Sequence, residues 1–195
     1  MRKIINIKTK EEIELKRENL PMMIHGKEHS GASLFSVAVV AGLHNKGNKL
    51  LIYTAYPMAK KEFFSQIETK DNVFYLEDEK DLEKALLFQT IFVASGNMDL
   101  FTKVITNYSV TDRVIFIKNI DTIQIPLFSI ILPLQLVLSG DFESNPIQKA
   151  LTDIPYKTKI FFSSLGGEAV PLLEKYQAYI KTNAGEDMVI VTLLD

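Results

Sequence analysis

Apolar residues in this chain gather in short unbroken runs rather than in alternation. Met22-Met23-Ile24, Leu50-Leu51-Ile52-Tyr53, Ile91-Phe92-Val93-Ala94, Val114-Ile115-Phe116-Ile117 and Ile160-Phe161-Phe162 are the clearest. A strand wet on one face alternates apolar and polar residues. A strand covered on both faces does not, and such strands build parallel sheets. The stretches between the runs carry helical spacing. The pattern predicts a charged helix over 8–19 with Ile13 as its buried anchor, then a strand over Met22–His25. A helix over 33–46 is apolar on nearly every side and therefore buried; Lys46-Gly47-Asn48 stops it. Strands follow at 50–54, 73–76, 91–94, 113–118, 136–139 and 159–163. Helices are expected at 58–67, 77–87 (capped by Asp78), 98–107, 123–132, 146–151 (opened by Pro146) and 168–176. Residues 178–182 and 188–193, joined by 183–187, read as a closing β-hairpin. The expectation is a three-layer α/β fold: a mostly parallel sheet, helices on both faces and a C-terminal hairpin. At 195 residues the whole chain, 1–195, suits a single domain.

The strand–helix passage at 22–43 encloses a distinctive loop. Gly26-Lys27-Glu28-His29-Ser30-Gly31-Ala32-Ser33 keeps the frame of a phosphate-binding P-loop, G-x-x-x-x-G-K-[ST], with Ala32 in the lysine position. In a working P-loop, glycines let the backbone amides curl around phosphates, the hydroxyl holds Mg²⁺ and the lysine neutralises the terminal oxygens. The glycines and Ser33 remain here; the charge does not. Gly26, Lys27, His29, Ser30, Gly31, Ala32 and Ser33 are the candidate nucleotide- or anion-binding residues.

The loop, the buried helix after it, the run LLIYTAYPMAKKEFF and the closing hairpin together resemble the RecA/KaiC-like P-loop ATPases. The resemblance implies ATP or ADP with Mg²⁺ as ligand, and assembly as a homo-oligomer or as a subunit of a larger complex. It also shows what is missing. The P-loop lysine falls on Ala32. The water-activating glutamate after the second strand falls on Ala55-Tyr56-Pro57. The Walker B aspartate falls on Ala94-Ser95 or on Lys118-Asn119, with Asp121 two residues late. Phosphoryl transfer rests on positioned charge and an oriented nucleophile. The expectation is a degenerate member of that family, with weak or regulatory nucleotide binding and little or no hydrolysis. Two alternatives stand beside it. One is a scaffold that binds no nucleotide. The other is an active ATPase using Lys27, which sits where the MinD/ParA-like branch carries an extra lysine that reaches across a dimer.

Other residues have competing roles. Ser139-Gly140-Asp141-Phe142-Glu143 reads as a turn in which Asp141 bonds its own backbone, or as a metal or acid site; Asp121 shares that second role. Ser163 to Glu168 reads as an anion nest before a helix, or as a plain loop. His25 and His29 have zinc-like spacing, but Gly26 breaks the helical face such a pair needs, and no metal site is expected. The net charge of −2 and the lack of a basic, aromatic-interleaved stripe argue against nucleic acid. The most apolar window, 123–138, is broken by Pro126, Pro133 and two glutamines, so no membrane span is expected. With no cysteine and no leader-like N-terminus, a cytoplasmic location is expected.

Overall fold

In the computed structural model, the residues described are 2–27, 29–32, 35, 36, 38, 39, 50–54, 73–75, 90–94, 114–118, 135–144, 152–168, 170–174 and 176–193. They form one sheet of ten strands: β1 (Arg2–Asn6), β2 (Met22–His25), β3 (Leu50–Thr54), β4 (Val73–Tyr75), β5 (Thr90–Ala94), β6 (Val114–Lys118), β7 (Gln135–Gly140), β8 (Thr158–Phe161), β9 (Gln177–Thr182) and β10 (Gly185–Leu193). Their order across the sheet is β1-β10-β9-β8-β2-β7-β6-β5-β3-β4. Pairings from β8 through β4 are parallel. Those joining β8, β9, β10 and β1 are antiparallel. The sheet is mixed and mainly parallel, as the unbroken apolar runs predict.

β2 is central, between β7 and β8, and all four of its residues are buried. Met22 and Ile24 face one side, where they join Ile160, Ala178, Ile180, Phe35 and Val39 in one core cluster. Phe35, Ser36, Ala38 and Val39 are helical and buried, in keeping with a helix enclosed on most sides. The chain leaves β2 for β3, beyond β7, β6 and β5, while β8 lies on the other flank of β2. The carboxyl ends of β2 and β8 thus lie at a reversal of strand order, where open α/β sheets form their ligand crevices.

Three expectations need correction. Residues 8–19 are not a helix. The Asn6 side chain accepts hydrogen bonds from the Lys8 and Thr9 amides at 2.9 and 3.1 Å and turns the chain. It then returns along β1, with an isolated bridge between Ile5 and Glu12 and the Ile13 amide donating to the Ile4 carbonyl. Only Arg17–Asn19 form a short 3₁₀ turn. Ile13 does pack against the core, as its anchor role requires. The second correction is at 168–176. Leu165 and Glu168 close a small bridge over Gly166 and Gly167, and 170–174 are irregular. Pro171 explains this: it lacks an N–H and disfavours helix in the residue before it. Third, the hairpin turn is only Asn183-Ala184, because Gly185, Glu186 and Asp187 already pair with Thr182, Lys181 and Ile180.

β1 has no counterpart in the sequence reading. The expected helices at 58–67, 77–87, 98–107, 123–132 and 146–151 lie outside the described residues. Among the described residues, no helix is long and apolar enough to cross a membrane.

Candidate functional site: the glycine loop at the end of β2

The loop leaves the end of β2 under tight steric control. A β-carbon on Gly26 would stand 2.6 Å from Ser30 Oγ, 2.7 Å from Ala32 Cβ and 3.0 Å from Phe162 Cβ. Only glycine fits there. Ser30 donates its amide to the Lys27 carbonyl at 3.2 Å, which curls the chain back. Gly31 takes φ +100, and its carbonyl accepts the Phe35 amide at 3.0 Å, the first bond of the helix. Ala32 is the first helical residue, one before the expected start. Both glycines of the motif therefore have work that no other residue could do: Gly26 by contact, Gly31 by φ.

Ala32 is buried, 6% exposed, and belongs to the core cluster. Its amide donates to the Ser30 hydroxyl oxygen at 3.4 Å. One turn on, Ser36 donates its hydroxyl proton to the Ala32 carbonyl at 2.7 Å. Ser36 has a single proton, so in its 2.6 Å contact with Ser139 the Ser139 hydroxyl donates. That buried pair fastens the helix to β7.

Beneath the loop lies His25, fully buried. The Phe142 amide donates to its Nδ1 at 3.2 Å, so that nitrogen carries a lone pair and the proton sits on Nε2. Nε2 then donates to Ser163 Oγ at 3.1 Å. His25 so ties β2 to the segments that follow β7 and β8. Burial pushes its pKa below 6.5, against the opposing pull of Asp141, the Ser164 backbone and Glu143. Asp141 lies 4.0 Å from Nδ1, but a neutral ring makes no ion pair with it.

Asp141 forms the Asx turn that the sequence favoured. Its Oδ1 accepts the Glu143 and Ser144 amides at 3.0 and 3.4 Å, and its Oδ2 accepts the Ser144 hydroxyl at 2.7 Å. Burial pushes its carboxyl up. The Ser144 hydroxyl and the two amides outweigh that, and the pKa ends below the ordinary value. The turn aims Glu143 at the loop, where its carboxylate meets Lys27 Nζ at 2.8 Å. Both partners are about half exposed, and the Lys27 pKa is raised by Glu143.

Of the sequence candidates, the structure brings Gly26, Lys27, Ser30, Gly31, Ala32 and Asp141 into one neighbourhood. His29 is exposed on the loop with φ +63. Ser33 and Asp121 lie outside the described residues. Register sets Ala94, Lys118 and Ser139 in one row across β5, β6 and β7. Among the described strand ends, the first carboxylate is Asp141, just past β7. No helix starts at Gly166-Gly167 among the described residues, so the second anion nest before a helix is not formed. Sequence reasoning missed three participants: His25 as a buried tie, Glu143 as the partner of Lys27, and Tyr176, which packs on Gly31. A cavity of about 480 Å³ opens elsewhere, on the Met23 and Lys159 face, and none of the loop residues lines it.

No protein-family model matches the chain, and no curated protein matches it. Solved structures do. One described as an ATPase superposes with TM-score 0.60 at 9% identity, covering 99% of this chain and 86% of its own. The pCW3 conjugation coupling protein TcpA, in a monomer form with ATPγS, gives TM-score 0.53 at 12% identity over 100% of this chain and 66% of that one. EssC (ATPases 2 and 3) from Geobacillus thermodenitrificans gives 0.50 at 14% identity, over 98% of this chain and 43% of that one. The chain has the fold of the P-loop ATPases. It spans less than half of that EssC chain, and at such identities the likeness is one of fold.

Proposed function

We propose that this chain is a single, degenerate RecA-like P-loop domain that binds nucleotide phosphates at residues 26–33 and hydrolyses them little or not at all. The observation that carries the reading is the loop itself. Gly26 and Gly31 are each sterically required, a helix starts at Ala32, and the whole stands at the carboxyl end of a central parallel strand. A helix N-terminus behind a glycine loop favours anions by amide direction and dipole. Lys27 adds a flanking ammonium. ATP or ADP with Mg²⁺ is the ligand class, and Ser33 the residue to meet the metal.

Silence in hydrolysis follows from charge. The lysine position is the buried methyl of Ala32, and the Asp141 oxygens are engaged in their own turn. Losing one preorganised stabiliser of developing charge commonly costs ~3–4 kcal/mol of barrier. An active ATPase using Lys27 must first free that residue from Glu143.

The second reading is a non-catalytic scaffold, a homo-oligomer or a subunit of a larger cytoplasmic assembly. The Ser30 hydroxyl on the Ala32 amide and the 98% exposure of Leu172 favour it. Calorimetric titration with Mg·ATP, followed by a phosphate-release assay on the same protein, separates the readings. Heat without release supports the proposal. No heat leaves the scaffold. Steady release that Lys27→Ala abolishes establishes the enzyme.

A further inference from the structure

Tyr176 stands just before β9, far from the loop in sequence, yet it abuts it. A β-carbon on Gly31 would lie 2.9 Å from Tyr176 Cδ1 and 3.3 Å from Tyr176 Cα, with Phe162 Cε1 behind at 3.5 Å. Phe162 is itself locked edge-on against Phe35, ring centroids 5.4 Å apart. The wall beside Gly31 is therefore aromatic and well supported, and Tyr176 is its exposed member, at 41%.

The backbone under that ring is unusual. Gln177 donates its amide to the Glu174 carbonyl at 3.0 Å, closing a turn over 174–177 with Tyr176 in third place. The two end residues bond again. The Glu174 amide donates to Gln177 Oε1 at 3.0 Å, and Gln177 Nε2 donates to Glu174 Oε2 at 3.2 Å. Tyr176 has φ +68. A positive φ at that place is what a type II turn demands, and glycine or asparagine normally supplies it. A bulky aromatic there is an outlier. Such strain persists where its surroundings over-determine it, and it gathers at ligand sites. Here three hydrogen bonds hold a tyrosine in a glycine conformation, and its ring lands on the last glycine of a phosphate loop.

A nucleotide carries its base one ribose away from its phosphates. A flat aromatic beside the loop adds nothing for a bare phosphate. It adds stacking energy for any base. We propose that Tyr176 is the base-stacking platform of the 26–33 loop, so that the ligand is a nucleotide rather than a free phosphate or polyphosphate. This rests on the reading of the loop as a phosphate cradle.

The test is calorimetric titration of wild type, Tyr176→Phe and Tyr176→Asn with ATP and with tripolyphosphate. Tripolyphosphate carries at least as much charge and no base. The expected result is that wild type binds ATP on the order of tenfold tighter than tripolyphosphate. Tyr176→Phe keeps that ratio. Tyr176→Asn, which suits the positive φ, brings ATP down to the tripolyphosphate level and leaves tripolyphosphate unchanged. Equal binding of the two ligands by wild type overturns the platform and leaves the cradle standing. A Tyr176→Asn loss that is equal for both ligands overturns it too, since that marks a structural prop. A gain for both marks a lid, and also overturns it. If wild type binds neither ligand, the cradle reading fails and the platform with it.

Discussion

The Lys27 ammonium lies 2.8 Å from the Glu143 carboxylate, which joins the second residue of the 26–33 loop to the turn after β7. The pair competes with any anion entering the loop, because a phosphate and Glu143 seek the same cation. Exposed pairs of this kind contribute little to stability. Their effect falls on binding instead. Glu143→Gln is expected to tighten ATP binding several-fold and to leave the thermal midpoint nearly unchanged. Lys27→Ala weakens binding, and the double variant should match Lys27→Ala alone. Calorimetry on the four proteins checks this; additive effects would mean that Glu143 acts by general repulsion rather than through Lys27.

Gly26→Ala tests the loop's geometry apart from any ligand. The new methyl meets Ser30 Oγ, Ala32 Cβ and Phe162 Cβ, all at or inside 3.0 Å. Overpacking of this sort costs roughly 1–3 kcal/mol. Chemical denaturation should show a lower midpoint with an unchanged slope. A wild-type midpoint would mean that the loop is not folded around Gly26 as described.

Restoring the missing lysine is expected to have opposite effects with and without ligand. Ala32 is buried against the core, so Ala32→Lys adds bulk and an ammonium at a dry site. The free protein should lose stability, by roughly 1–3 kcal/mol from bulk alone. An anion bound beside the new charge should return much of it by mass action. Thermal melts with and without millimolar ATP read both effects. An equal ligand shift in wild type and variant would show that residue 32 does not face the anion.

His25 predicts a pH dependence. Burial holds its folded pKa below 6.5, so the unfolded chain takes up the proton first as the pH falls. Its contribution to stability is complete above pH 6.5 and is lost on acidification through the lower folded value. Asp141, whose pKa is also lowered, titrates only further into acid and does not mask this window. Protonation forces Nδ1 to carry a hydrogen against the Phe142 amide. Thermal midpoints measured from neutral pH down to the carboxylate range should fall for wild type. His25→Gln should be flatter, though less stable at neutral pH.

How much of this the sequence carried depends on the range of the forces. β2 and β3 fall at their expected residues because an unbroken apolar run bounded by polar residues leaves one choice. The Asp141 turn was legible for the same local reason. β1 was not: it is stabilised by pairing with β10, at the other end of the chain. The charged 8–19 segment has helical spacing, yet the Asn6 side chain captures its first amides and turns it back. Pro171 is a breaker legible in the sequence, and it overrides the helical spacing around it. His25 offered one unused signal, a polar residue ending a wholly buried run. Nothing local brings Glu143 to Lys27 or Tyr176 to Gly31. Those contacts exist only because β7 flanks β2 directly and β8 joins it to β9.

Phosphorus NMR of ATP mixed with the purified protein and Mg²⁺ reads nucleotide binding and hydrolysis together, in one spectrum followed over time. A loop that binds nucleotide without hydrolysing it should give β- and γ-phosphorus signals that broaden or shift with added protein, and no growth of an inorganic phosphate signal over hours. Signals that stay sharp and unmoved at millimolar ATP, or a phosphate signal that grows steadily, would contradict a silent nucleotide site.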